Sequence, residues 1–497
     1  MKRGTIPLLN IGICFNRKDF EYDVYSLVKA FYPQSQVQMY YLGEEPAGEY
    51  QLLLLVTYGD QEICLELQKE GQTCLSRTSE VEYDRERTET KNVLKRLVYG
   101  CLQELTGISL PWGNLTGIRP TKIPMKLLEE GWKNTQIAEY MRNTYGVSKE
   151  KTALAITIAN REKAILKDLD YEHGYSLYVG IPFCPSICLY CSFGSHPLSR
   201  WVKRVDEYLD ALLKELTFIR DAMGSRPLHT VYIGGGTPTT LEPEQMDRLL
   251  SHIQKTFDFT HVREYTVEAG RPDSITREKL EVIRKYPVNR ISVNPQTMNQ
   301  KTLDLIGRKH TVEETKEIFQ MARELGFSNI NMDLIIGLPG EGKEEVAHTL
   351  AEIEKLHPDS LTVHSLALKR ATRLNLFRDQ YEEMSFENSQ EIMEMTQKCA
   401  ANMGMGPYYL YRQKNIAGNF ENVGYAEVDK AGIYNILIME EKQTILAAGA
   451  GASTKFVFAG GTRIERVENV KDVDNYIRRI DEMLERKRAG IAAYLDM

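Results

Sequence analysis

The sequence predicts an α/β protein built around an incomplete (β/α) barrel of six strand–helix repeats. Three observations predict it. Between about Tyr175 and Glu383, six short apolar runs alternate with amphipathic helical stretches, the rhythm of a parallel sheet with helices outside. The unusual residues of this stretch fall at the C-terminal ends of those runs, where barrel strands present their chemistry. The flanks have other rhythms. Residues 1–167 read as an N-terminal α/β accessory domain ending in helices, 168–383 as the barrel, and 384–497 as a C-terminal α+β region.

Taken in order, the chain opens on "MKRGTIPLLNIGICFNRKDFEYD", basic and then apolar. Pro7 and Asn10 interrupt it and no small-residue cleavage site follows, so it reads as folded chain rather than a secretory leader. Helical periodicity in "FEYDVYSLVKAFYP" precedes the strand-like "QVQMYYL", "QLLLLVTYG" and "QEICLELQ", then a charged helix from about Tyr83 to Leu105. The turn-rich "LPWGNLTGIRPTK" leads into helices reaching about Lys167. The six barrel strands are "SLYVGIP", "HTVYIGG", "REYTVEA", "NRISVNPQ", "NINMDLIIG" and "DSLTVHSLA". Helices such as "RVDEYLDALLKELTFIRDAM" and "EETKEIFQMARELG" lie between them. Beyond them come a helix, the strand-like "PYYLYR", "GIYNILIM", "TILAAG" and "KFVFA", and a closing basic helix.

Charge and hydropathy narrow the function. The net charge is -7 with both signs interspersed, which argues against a general nucleic-acid binder. No apolar run approaches the ~20 residues of a membrane span. Cys14, Cys64, Cys74, Cys101 and Cys399 are scattered, several of them in apolar runs, as expected of reduced thiols in a cytoplasmic protein.

The other three cysteines are clustered. Cys184, Cys188 and Cys191 follow the first barrel strand in "YVGIPFCPSICLYCSF", spaced C-x3-C-x2-C. Three buried structural thiols are one reading, and a zinc site completed by His196 is another. A ferredoxin-type cluster would want a fourth cysteine, where Phe193 stands. An iron–sulfur cluster with one iron open to a small-molecule ligand fits the spacing best. The remaining strand ends carry "GGGTPT" (Gly234 to Thr239) after the second, Glu268 after the third and Gln296 after the fourth. Asp333 lies near the end of the fifth, and His364 with Ser365 follows the sixth.

The cysteine loop with Tyr190 before its last thiol resembles the radical S-adenosylmethionine superfamily. "IGGGTPT", "RISVNPQTMNQKTLDLIGRKH" and "NMDLIIGLPG" are similar to the oxygen-independent coproporphyrinogen III dehydrogenase (oxidase) group. "TVHSLALKR", "PYYLYRQKN" and the N-terminal domain resemble its HemZ-type branch, so that the likeness spans the chain. It implies a radical-SAM partial barrel and a 4Fe-4S cluster on Cys184, Cys188 and Cys191, its open iron binding S-adenosylmethionine. Tyr178, Gly234, Gly235, Gly236 and Thr237 match cofactor-contacting positions, the glycines where a Cβ would obstruct the methionine moiety. Glu268 matches the acceptor for the methionine ammonium, and Arg308 the guanidinium that reads its carboxylate. Gln296 and Asp333 match the pair on the ribose hydroxyls, and Ala367 lies where the adenine is lined. His364 reads equally well as a core histidine.

Two positions depart from the best-known members: Gly180 replaces a histidine and Phe193 a cysteine. The resemblance therefore implies the radical chemistry more firmly than the later steps. The implied activity is oxidative decarboxylation of two propionates of coproporphyrinogen III to vinyl groups through a 5'-deoxyadenosyl radical, giving protoporphyrinogen IX. The alternatives are a haem-binding chaperone and an enzyme acting on another tetrapyrrole. The implied partners are an anionic tetrapyrrole and an electron donor such as a flavodoxin or ferredoxin. Against four substrate carboxylates the sequence offers two basic clusters: Lys369, Arg370 and Arg373 in "ALKRATR", and Arg412 with Lys414 in "LYRQKN".

Overall fold

The computed structural model describes residues 9–44, 48–83, 86–192, 194–367, 372, 374, 387–413 and 420–495. They form two compact units, one drawn from Met1–Ala159 and Arg412–Asn415, the other from Asn160–Tyr411 and Ile416–Met497.

In the first unit, β1 (Asn10–Phe15) runs parallel to β2 (Gln36–Tyr41) on one side and β3 (Leu52–Tyr58) on the other. β4 (Glu62–Lys69) and β5 (Gln72–Glu80) continue the sheet antiparallel. Helices Glu21–Phe31 and Arg87–Thr106 contribute Val24, Leu27, Leu94 and Val98 to one core with Ile11, Ile13, Leu52 and Leu54. Neither β1 nor β5 is predicted from the sequence. β1 is a short buried run that needs neighbours on both sides to be recognised. β5 is an edge strand, exposed along most of its length, and shows no apolar alternation.

The second unit holds the barrel. β6 (Tyr175–Ile181) is followed by the two-residue strands β7 (Phe183–Cys184) and β8 (His196–Pro197), which pair with each other. Then come β9 (Leu228–Gly235), β10 (Glu264–Gly270), β11 (Arg290–Val293), β12 (Ile330–Ile336) and β13 (Ser360–Ser365). β6 and β9 through β13 are parallel neighbours in chain order, as the repeat predicts. Residues beyond 383 extend this same sheet at both ends. β14 (Gly406–Tyr411) and β15 (Asn422–Ala426) join antiparallel at β13. β16 (Thr444–Ala448) lies parallel to β6, followed by antiparallel β17 (Ser453–Phe458) and β18 (Arg463–Glu468). The eleven strands run from β14 to β18 without closing, so the barrel is incomplete.

One predicted strand is corrected. "GIYNILIM" forms the helix Ile433–Glu440, not a strand. Its apolar run has no clear period, and such runs are set by their surroundings. Here Ile436 and Leu437 pack with Leu166, Leu169, Tyr408 and Tyr409. β15 and β18 are additional strands.

Alternation along the barrel strands separates two faces. Leu177, Val179, Val231, Ile233, Tyr265, Val267, Ile291, Met332, Leu334, Leu361 and Val363 are buried apolar residues. The intervening positions are polar and hydrogen-bond from strand to strand. Thr230 donates to Ser176 Oγ at 2.7 Å and Arg290 to Ser360 Oγ at 3.0 Å. The Ser360 and Thr362 hydroxyls both donate to Asn331 Oδ1 at 3.1 Å. Among the described residues no helix is long and apolar enough to cross a membrane.

Candidate cofactor site at the strand ends

The cysteine loop leaves the top of β6 and is pinned on several sides. The β7–β8 pair closes its base, with His196 N donating to Pro182 O at 2.7 Å. Gly236 N donates to Ile181 O and Thr237 N to Phe183 O, each at 2.7 Å, fastening its start to the end of β9. Farther along, Leu189 N donates to Ile306 O at 3.0 Å, and Cys191 N to Cys188 O at 3.1 Å. Thr237 Oγ1 donates to Cys184 Sγ at 3.4 Å, and Arg271 Nη1 lies 3.5 Å from Cys188 Sγ. Cys184 and Cys188 are buried and Cys191 half-buried. Burial raises the Cys184 thiol, against the Thr237 hydrogen bond. Among the described residues no three His, Cys, Asp or Glu side chains are gathered as for a single metal ion. The imidazole of His196 instead packs edge-on to Trp201, with ring centres 5.7 Å apart.

The three glycines after β9 have distinct constraints. Gly235 takes φ +107°, a backbone conformation natural to glycine. A Cβ on Gly236 would stand 2.5 Å from Phe183 O, so this glycine is required by the approach of the cysteine strand itself. A Cβ on Gly234 would stand 2.9 Å from Tyr232 Cε1 and 3.0 Å from Glu268 Oε2.

Two carboxylates face this space, shifted in opposite directions. Burial raises Glu268 to about 7, although the Tyr232 hydroxyl donates to its Oε1. Asp333 sits mid-strand rather than near the end of β12, and despite burial it is held below the usual carboxylate range by His364 and Asn331. Asn331 Nδ2 donates to Asp333 Oδ1 at 2.7 Å, and His364 Nε2 stands 3.9 Å from Oδ2. His364 therefore faces the site, and its Nδ1 lies 3.2 Å from the Tyr411 hydroxyl. Gln296 is held at φ 69° by strand-like bonds, its N donating to Asp333 O and its O accepting from Ile335 N. Arg308 is 3% exposed and donates to Asn294 O at 2.6 Å and to the Tyr190 hydroxyl at 3.3 Å. Gln296 Oε1 and Arg308 Nε are buried without a hydrogen-bond partner. Tyr178 stacks on Tyr232 and Tyr434, with ring centres 6.3 and 6.4 Å away. Ala367 is half-buried just beyond β13.

Comparison with known proteins follows this geometry. The family model of the radical SAM superfamily matches residues 178–353. HemZ of Bacillus subtilis, named an oxygen-independent coproporphyrinogen-III oxidase-like protein, is 40% identical over 472 residues, 93% of each chain. The chain belongs to the radical SAM superfamily, in its HemZ-type branch. The heme chaperone HemW of Bacillus subtilis is 33% identical over 62% of this chain and 76% of its own. The oxygen-independent coproporphyrinogen III oxidase of Salmonella typhimurium is 27% identical over 63% of this chain and 66% of its own. The solved coproporphyrinogen III oxidase HemN of Escherichia coli, described as a radical SAM enzyme, matches with a TM-score of 0.51 and 24% identity. That match covers 65% of this chain and 73% of HemN, and it shows a shared fold.

Radical SAM membership implies S-adenosylmethionine and a 4Fe-4S cluster, and the residues here fit both. The thiols are soft donors on one anchored loop, and a multi-iron cluster takes each thiolate on a different iron, so they need not converge as for one ion. The orphaned atoms of Gln296 and Arg308 are what a polar, zwitterionic ligand would satisfy.

Other sequence-predicted residues lie elsewhere. Lys369, Arg370, Arg373, Lys414 and Phe193 fall outside the described residues. Arg412 belongs to the first unit and is 4% exposed. Its Nη1 donates to Leu115 O at 2.6 Å, and its guanidinium lies 5.9 Å from the centre of the Trp112 ring. Sequence reasoning missed Arg271 and Asp273, for which the only signal is "GRPD" directly after the third strand. It also missed the polar face of the barrel, which is legible as period-two alternation in all six strands.

Proposed function

We propose that this chain is a radical enzyme that oxidatively decarboxylates two propionates of coproporphyrinogen III to vinyl groups, yielding protoporphyrinogen IX. The carrying observation is that the cysteine loop is bonded to Gly236 and Thr237 at the end of β9 and to Arg308 through Tyr190, in a chain 40% identical to a HemZ protein. Cys184, Cys188 and Cys191 would hold the cluster, leaving one iron open. When bound, the cluster and S-adenosylmethionine would supply hydrogen-abstracting radical chemistry, with carbon dioxide as the group lost from each propionate and the remaining electron passing to an acceptor. The residues around them do the positioning. Glu268 would accept from the methionine ammonium, Arg308 would pair with its carboxylate, and Gln296 and Asp333 would accept from the ribose hydroxyls. Tyr178, Gly234, Gly235, Thr237 and Ala367 border the same ligand. Gln296, Arg308 and Thr237 are buried, which would keep water from their contacts and strengthen them. Lys369 and Arg370 are the proposed propionate contacts; Arg412 and Lys414 belong to the first unit, where Arg412 is buried with its Nη1 on Leu115 O. The proposed electron donor is a flavodoxin or ferredoxin, and the proposed compartment the cytoplasm.

A second reading is supported by the 33% identity to a heme chaperone: cluster and cofactor retained, with haem carried rather than a porphyrinogen converted. One experiment separates the two. Anaerobically reconstituted protein is given S-adenosylmethionine with and without coproporphyrinogen III, and products are identified by mass spectrometry. Porphyrinogen-dependent deoxyadenosine with mono- and divinyl products is expected, and Cys188→Ala should abolish both. Stoichiometric haem binding without vinyl product would favour the chaperone, and undiminished cleavage by Cys188→Ala would sink the cluster assignment.

A further inference from the structure

Arg271 follows β10 and has no role in the reading above. It is 4% exposed, and its guanidinium bridges two segments. On one side Nε and Nη2 donate to Asp273 Oδ1 and Oδ2 at 2.9 and 2.6 Å, a bidentate clamp. On the other, Nη1 donates to Ser186 O at 2.9 Å and points at Cys188 Sγ, 3.5 Å away. Ser186 and Cys188 both belong to the cysteine loop. A single fixed cation thus ties the end of the third barrel strand to the second thiol of the motif.

The charges around it are few. Asp273 stays below the ordinary carboxylate range because Arg271 outweighs its burial. His310 is fully buried, with both ring nitrogens lacking a hydrogen-bond partner. Burial and the neighbouring Arg308 hold it neutral, at about 3. Arg308 is the other nearby cation, and its Nη1 faces Tyr190 rather than a thiol.

Reduction adds one negative charge to a cluster, so a donor aimed at a ligand sulfur and a buried cation stabilise the reduced form more than the oxidised form. A carboxylate against that cation does the opposite. We propose that Arg271 and Asp273 are an opposed pair that sets the reduction potential of the cluster, Arg271 raising it and Asp273 lowering it. This rests on the cysteine loop holding the cluster, as proposed above.

The test is potentiometry followed by electron paramagnetic resonance on the reconstituted full chain, with iron and sulfide content measured in parallel. Arg271→Gln keeps an N–H donor and removes the charge. It should make reduction on the order of tenfold less favourable, a shift of ~59 mV to lower potential for one electron. Asp273→Asn removes the opposing charge and should shift the potential the other way. Arg271→Lys, which keeps the charge, should lie nearer the parent than Arg271→Gln. A merely structural role would move Arg271→Gln and Asp273→Asn in the same direction, or not at all, and either result overturns the proposal. If Arg271→Gln fails to retain iron, Asp273→Asn decides alone: a rise in potential supports the pair, and no change or a fall overturns it. A parent protein that binds no iron would instead overturn the reading of the loop.

Discussion

Glu268 and Asp333 are carboxylates facing one polar space, and their surroundings push them apart. Burial dominates at Glu268, reinforced by the Asp333 charge, while Tyr232, Arg290 and the Gly235 backbone act against it, leaving the group at about 7. At Asp333 the His364 and Asn331 contacts outweigh burial. The sign follows directly. A raised carboxyl is largely protonated at pH 6 and ionised at pH 8, and only the ionised form pairs with an ammonium. S-adenosylmethionine affinity should therefore rise roughly tenfold from pH 6 to pH 8, a change of ~1.4 kcal/mol, when followed by equilibrium binding. Glu268→Gln should flatten that profile, and a parent profile that is already flat would remove Glu268 from the ammonium site.

At the scale of elements, the cysteine strand and the glycine turn hold each other. The bonds from Gly236 N to Ile181 O and from Thr237 N to Phe183 O require a backbone approach with no room for a side chain. Gly236→Ala must displace backbone, because its Cβ would meet Phe183 O at 2.5 Å. A loss of ~1–3 kcal/mol is expected, with lower iron uptake on reconstitution, as measured by denaturant titration and iron assay. The helix Lys149–Leu166 carries a different tension. Glu162 is fully buried, both of its oxygens lack a hydrogen-bond partner, and burial with nearby Glu440 raises it well above the carboxylate range despite Lys442. Its unfolded value is about 4.3, so above that pH the folded chain retains a proton that the unfolded chain has released. Stability then falls as pH rises. Glu162→Gln removes the ionisable group and should stabilise by more than ~1 kcal/mol at pH 8, and by less at pH 5, in paired thermal melts. Equal effects at both pH values would refute this.

For the whole second unit, the C-terminal segments brace the strand that delivers the cysteines. Lys487 Nζ and Glu215 Oε1 are 2.9 Å apart and fully buried. Glu215 also accepts from Tyr476 at 2.6 Å, Asn469 at 2.8 Å and Gly449 N at 2.9 Å. Next to this network Tyr208 donates to Gly180 O at 2.6 Å and accepts from Ala450 N at 3.1 Å, so that the end of β6 is held through Gly180. Breaking a buried pair from one side costs about 3–5 kcal/mol, because the other charge remains. Lys487→Met should lose that much stability by denaturant unfolding, and adding Glu215→Gln should restore part of it. A double variant no more stable than Lys487→Met would show that the pair does not act as a unit.

By itself the sequence determined the barrel and picked out most of the candidate site residues. Each barrel strand is a local apolar run followed by its own helix, and each site residue stands at a fixed offset from such a run. Cys184, Gly236, Glu268 and Gln296 could therefore be placed without knowing which strands are neighbours, whereas Arg308 came only with the family resemblance. Tertiary structure alone decided what depends on distant partners. "GIYNILIM" became a helix because Leu166, Tyr408 and Tyr409 surround it. β16 joined β6 although 268 residues separate the start of "TILAAG" from that of "SLYVGIP", with Thr444 pairing with Tyr175 and Ile445 with Ser176. Arg271 reached Cys188 across 83 residues of chain. Local periodicity reports which face of an element avoids water. It carries no term for which remote side chain will meet a buried charge, and that is settled only when the sheet assembles.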